Sequence, residues 1–168
     1  MLFRSDHEQN LLYVAAQAQE MVLQWKAHIL RAENQDLAKT EAVLSVQDDT
    51  VFILIDLTMK FTQMRYREKQ SEWLEKGGMN WHISWVLSKP AVIDHLELVS
   101  YVHLFPSCSQ DSFGVYAILV DLLNNVKAVK PQITGALLRS DGAGCYHSNT
   151  LIAPLHRIYE LSGIKPLR

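Results

Sequence analysis

Two aspartates stand where apolar runs end. Val51-Phe52-Ile53-Leu54-Ile55 leads into Asp56, and the run from Ile133 to Leu138 leads into Arg139-Ser140-Asp141. A carboxylate at the mouth of a buried strand must be solvated, hydrogen-bonded or bound to a cation. Two carboxylates brought together repel unless a cation lies between them. Oxygen donors of this kind suit Mg²⁺ or Mn²⁺, which take one or two carboxylates and complete their shell with water and phosphate oxygens. Two such ions about 4 Å apart activate a water and stabilise the leaving oxygen of a phosphodiester. Asp56 and Asp141 are therefore the candidate catalytic residues and metal ligands. Each acid taken singly also fits a helix cap or a turn.

Other residues invite weaker versions of the same question. Asp111 begins a helical stretch, where an acid favours the helix dipole; as a further carboxylate it is also a candidate ligand. Lys60, Arg65, Arg67, Lys69 and Lys76 lie among Tyr66 and Trp73, a pattern that fits a phosphate backbone and stacked bases. Glu68, Glu72 and Glu75 offset that charge, so a solvated surface insertion fits equally. Cys145, Tyr146 and His147 follow the second aspartate directly. Cys145 and His147, with Cys108, His103 and His82, can be drawn as a zinc set, but the paired spacing of structural zinc sites is absent. A Cys–His nucleophile has no identifiable orienting group or oxyanion hole.

The elements that must position these residues read as follows. Ser5-Asp6-His7-Glu8 fits a capping box. Leu11, Leu12, Val14, Ala15, Ala18, Met21, Val22, Trp25 and Ile29 then recur at helical spacing, in one long helix or two with a bend near Asn34. Gln47-Asp48-Asp49-Thr50 is a turn, and Val51–Ile55 a strand buried on both faces and ending at Asp56. Strands are expected over Trp81–Leu87 and Leu96–Phe105, a helix over Ser109–Val129, and a strand over Ile133–Leu138. Ser148 or Asn149 caps a last helix through Leu161, and Ile164–Arg168 begins a final strand. Three strands in tight succession predict an antiparallel meander. A strand returning through a helical crossover joins it in parallel. If the fourth strand lies beside the first, Asp56 and Asp141 emerge together. The expected architecture is an α/β mixed sheet with flanking helices, an N-terminal helical segment over 1–47 and a core over 48–168.

Composition narrows the class. The chain has 168 residues, 48% hydrophobic and 20% charged, with a formal net charge of −2. That is globular composition, and any nucleic-acid contact must be local rather than a general basic surface. Two cysteines make no disulfide framework. No apolar run approaches the ~20 residues that span a bilayer. The expectation is a soluble intracellular protein with no membrane partner.

One series of motifs goes further. It runs from Trp25-Lys26-Ala27-His28 through Ile55-Asp56-Leu57-Thr58-Met59-Lys60-Phe61 and Tyr66-Arg67-Glu68-Lys69-Gln70-Ser71-Glu72-Trp73. It continues through Lys76-Gly77-Gly78-Met79-Asn80-Trp81-His82 to Arg139-Ser140-Asp141-Gly142-Ala143-Gly144-Cys145-Tyr146-His147-Ser148. Together these stretches resemble eukaryotic proteins derived from cut-and-paste DNA transposases. The resemblance implies a ribonuclease-H-like fold, Mg²⁺ or Mn²⁺ as cofactor, DNA as partner and a nuclear location. It makes Asp56 the first acid and Asp141 the second of a three-acid site. The third acid in that family lies on a helix after the fifth strand, beyond Arg168. The expectation is therefore a core cut short, impaired in catalysis, with an exposed C-terminal sheet edge through which copies can associate. The alternative is a non-catalytic module that binds nucleic acid or protein.

Overall fold

The computed structural model describes residues 6–61, 66–67, 69, 78–91, 95–105 and 111–167. The chain divides into two units, Met1–Leu44 and Ser45–Arg168.

The first unit is helix α1, Asp6–Leu44. With no glycine or proline to interrupt it, its helical hydrogen bonding continues through Asn34, so one helix forms rather than two. Its apolar residues are largely exposed, Leu11, Trp25 and Leu30 among them. Ser5, the residue expected to cap it, lies outside the described residues.

The second unit is built on one five-stranded sheet. Strand β1 is Thr50–Phe61, β2 Met79–Ser88, β3 Glu97–Phe105, β4 Gly135–Ser140 and β5 Lys165–Leu167. Their order across the sheet is β3-β2-β1-β4-β5. The meander β1-β2-β3 is antiparallel, while β4 joins β1 in parallel and β5 joins β4 in parallel. The expected mixed α/β sheet is thus present, with the first and fourth strands side by side.

Helix α2, Ser112–Val129, supplies the crossover between β3 and β4. It buries Val115, Ile118, Leu119, Leu122, Leu123 and Val126 in one cluster with Val51, Ile53, Ile55 and Val86 of the sheet. It is the one described helix long and apolar enough to cross a membrane, and this packing accounts for its apolar stripe. Its end is tied down by Lys130, whose Nζ donates to Ser88 Oγ at 2.6 Å and to Glu97. Lys130 holds the Glu97 carboxyl below its ordinary range, first through that hydrogen bond and then through its charge.

Three boundaries differ from expectation. The first strand does not end at Asp56. β4 stops at Ser140, but β2 keeps pairing with β1 out to Phe61. The fourth strand starts at Gly135, not Ile133; Ile133 is instead a buried plug whose carbonyl accepts from Lys127 Nζ at 2.7 Å. A short helix, α3 (Gly144–His147), precedes the last helix, which is itself broken into α4 (Asn149–Ile152) and α5 (Leu155–Ser162). Pro154 has no N–H to continue α4 and its ring would clash with the preceding turn. Gly163, at φ 69°, ends α5 in the left-handed conformation that glycine tolerates.

Candidate functional site

The register leads up to the two acids. Thr50 to Ile55 pair with Gly135 to Ser140, Ile55 facing Ser140. Asp56 and Asp141 are the next residues on each chain, and adjacent strands lie about 4.8 Å apart. Val51, Ile53 and Ile55 lie in the core cluster with α2, so alternation puts Asp56 on the other face of the sheet. Continuing that alternation one residue past β4 puts Asp141 on the same side. Asp56 is half-buried and Asp141 exposed.

The turn after β4 is held by its own backbone. Asp141 Oδ1 accepts from the Ala143 N–H at 3.1 Å, which is a turn of the Asx kind. The Ala143 carbonyl accepts from the Tyr146 N–H at 3.0 Å, and His147 Nδ1 lies 3.2 Å from the same oxygen. Beside Gly142 and Gly144 an added Cβ would meet nothing within 4 Å, so the loop is open on that side. The result is that Tyr146 turns inward, 6% exposed, while His147 stays at the surface.

The charges around this turn act on one another. Burial raises the Tyr146 hydroxyl far above the phenol range, the charges of Cys145, Asp56 and Asp141 push it further, and a hydrogen bond with the Leu57 backbone draws it partly back. Burial also raises the Cys145 thiol, with Asp141 and then Asp111 contributing. A thiol held protonated in this way is a poor nucleophile, and the His147 ring is committed to Ala143. The Cys–His reading therefore has no geometric support.

Asp111 caps α2: its Oδ1 accepts from the Gly114 N–H at 2.9 Å. Its charge reaches Cys145, so it lies in the same neighbourhood, but its carboxylate is engaged by the helix. Among the described residues no group of three or more His, Cys, Asp or Glu is placed to hold a metal. The imagined zinc set also separates. Cys108 lies outside the described residues and His147 is exposed, while His82 and His103 come together.

That last pair was not singled out by spacing. His82 on β2 faces His103 on β3, their ring centroids 6.2 Å apart and close to perpendicular. The Tyr146 ring is 6.3 Å from His82. His103 Nε2 is 3.0 Å from Asp121 Oδ2, and Ser84 Oγ is 3.3 Å from His82 Nδ1. His82 Nε2 and His103 Nδ1 are buried without a hydrogen-bond partner, while the Tyr146 hydroxyl meets the backbone at Leu57. Each such atom costs about 1–3 kcal/mol.

Of the basic segment, Arg67 and Lys69 are described and exposed. Arg67 has φ 57°, and its guanidinium lies 5.4 Å from the centre of the Tyr66 ring, itself 90% exposed. Lys60 lies in β1 with only its backbone described; Arg65 and Lys76 lie outside the described residues. A separate groove of about 630 Å³ runs beside β5, lined by Ile152, Leu155, His156, Tyr159, Pro166 and Leu167. None of the candidate acids lines it. No protein-family model matches the chain, and no curated protein matches it.

Proposed function

We propose that the Ser45–Arg168 unit is a transposase-derived, ribonuclease-H-like domain whose ancestral chemistry is metal-dependent hydrolysis and strand transfer of DNA phosphodiesters. The observation that carries this reading is the parallel β1–β4 register, whose last pair, Ile55 and Ser140, immediately precedes Asp56 and Asp141. The sheet order β3-β2-β1-β4-β5 is compatible with such a fold. The resemblance through Arg139–Ser148 supports it, because the same stretch builds the turn that orients Asp141.

The donor set fits one hard divalent cation. Asp56 and Asp141 would hold Mg²⁺ or Mn²⁺, with water and phosphate oxygens completing the shell. When bound, the ion supplies Lewis-acid activation of a phosphoryl oxygen and of water. The protein's own part is to hold the two carboxylates apart from the apolar core and to keep the approach open at Gly142 and Gly144. A two-ion mechanism needs further ligands, and the described residues bring no third carboxylate free of another task. The domain is accordingly a metal binder with little or no cleavage activity. The exposed Tyr66–Arg67 pair favours a second reading, in which the domain binds nucleic acid without cutting it.

The test is a Mg²⁺ and Mn²⁺ titration of the intact chain, Asp56→Ala and Asp141→Ala, with a plasmid-nicking assay alongside. Weak binding lost in both variants, with little nicking, is expected. Unchanged affinity in both variants would remove the metal reading. Robust nicking abolished by either substitution would show that the site is active.

A further inference from the structure

Two buried polar atoms that lack partners among the described residues, His82 Nε2 and His103 Nδ1, belong to one place. His82, His103 and Tyr146 lie on the core side of the sheet, at the end where Leu57 pairs with His82. His82 is wholly buried, and His103 keeps 17% of its side chain exposed through the contact with Asp121. The bonds these groups do make leave one pattern of vacancies. Asp121 accepts from His103 Nε2–H, which leaves the lone pair on Nδ1. Ser84 engages His82 Nδ1, which leaves Nε2 facing away from that contact. A histidine that binds a metal almost always gives its other ring nitrogen to a carboxylate or similar acceptor, which fixes tautomer and orientation. His103 with Asp121 has that arrangement.

The spacing agrees with a shared ligand. With zinc–nitrogen bonds of about 2.0–2.1 Å, two imidazoles on one tetrahedral ion have ring centres about 5 Å apart, and an imidazole and a phenol about 6 Å apart. The observed separations are 6.2 and 6.3 Å, so a ring shift of about one ångström closes the first and none is needed for the second. Imidazole nitrogens suit zinc-type transition metals, whereas Mg²⁺ prefers oxygen.

We propose that His82 and His103, with the Tyr146 hydroxyl as third ligand, bind one divalent transition metal of the zinc type. The site takes a water or an incoming oxygen donor as its fourth ligand. It is distinct from the aspartate pair: Asp56 lies on the opposite face of the sheet, and its donors are oxygens only. The inference does not rest on the transposase reading, and either can fail alone.

The experiment uses the full chain, stripped with a chelator. Zn²⁺ is titrated calorimetrically. Co²⁺ is titrated by visible absorption, which is strong for a four-coordinate ion and weak for the hydrated one. One Zn²⁺ per chain and an intense Co²⁺ band are expected. His103→Asn should weaken zinc binding at least about 100-fold, and Asp121→Asn and Tyr146→Phe each about 10-fold. Asp56→Asn should leave zinc binding unchanged while weakening Mg²⁺, which separates the two sites. Because His82 is wholly buried, the surface-reaching His103 and Asp121 variants carry the test, with thermal melts confirming that they fold. Absence of zinc binding by the folded chain overturns the proposal. So does undiminished affinity in His103→Asn, or loss caused by Asp56→Asn alone.

Discussion

His82 makes the metal-free protein sensitive to mild acid. Burial, and secondly the charge of His103, lower its pKa from 6.5 to about 4. In the unfolded chain the same imidazole is solvated and takes its proton at the higher value. Between the two values the unfolded state therefore binds more protons than the folded one. The contribution of His82 is fully present above pH 6.5, is lost as pH falls toward 4, and levels off below that. Each tenfold difference in proton affinity is worth about 1.4 kcal/mol, so the whole interval amounts to on the order of 3 kcal/mol. That is a large fraction of the roughly 5–15 kcal/mol that holds a typical domain together.

The assay is urea unfolding in the presence of a chelator, for the wild-type chain and His82→Asn, at several pH values from above 6.5 down to about 4. Asparagine keeps a polar group beside Ser84 but cannot take a proton. Carboxylates such as Glu97 titrate in both proteins and cancel in the difference. The wild type should lose on the order of 3 kcal/mol more than the variant across the interval. Parallel curves for the two proteins would refute the reasoning, because they would mean that His82 is protonated as readily folded as unfolded.

Three further substitutions separate roles. Asp111→Ala should cost about 1 kcal/mol through loss of the α2 cap and leave Mg²⁺ affinity unchanged; a loss of metal affinity in calorimetry would make it a ligand instead. Gly135→Ala would bring a Cβ to 2.8 Å from Leu167 Cδ1 and 3.2 Å from Thr50 Cγ2. Leu167 can swing aside at the sheet edge, so a cost of about 1 kcal/mol is expected, with faster amide exchange across β4 and β5. Tyr146→Phe removes a buried hydroxyl that meets the backbone at Leu57 and should change metal-free stability by no more than about 1 kcal/mol in thermal unfolding.

What could be read in the sequence follows the strength of each local signal. Val51–Ile55 and the run ending at Leu138 are dense in β-branched and aliphatic residues. A helix of 18 residues between strands leaves parallel pairing as the expected return. From those two facts the neighbourhood of Asp56 and Asp141 follows. The ends of elements were less legible, because they are set by partners. β1 runs five residues past Asp56 only because β2 accompanies it, and no pattern within β1 records the length of β2. Pro154 is visible in the sequence, but the three short helices around it also depend on Ser148, whose Oγ accepts from the Thr150 N–H at 3.0 Å.

The face of β2 shows where residue patterns mislead. Its alternation is clear, and hydrophobicity alone would turn Trp81, Ile83, Trp85 and Leu87 into the core. The structure buries the other set more deeply: Asn80, His82, Ser84, Val86 and Ser88. Polar groups can take that side only if something satisfies them. At one end Lys130 reaches Ser88, and midway Ser84 meets His82. Toward the other end the protein's own groups run short, and His82 Nε2 and His103 Nδ1 are left over. Tyr146 belongs to the same turn that orients Asp141. A random polar intrusion would scatter its unsatisfied atoms along the strand. Here they gather at the sheet end that also carries the two aspartates, as expected of a region whose polar groups are completed by something bound to it.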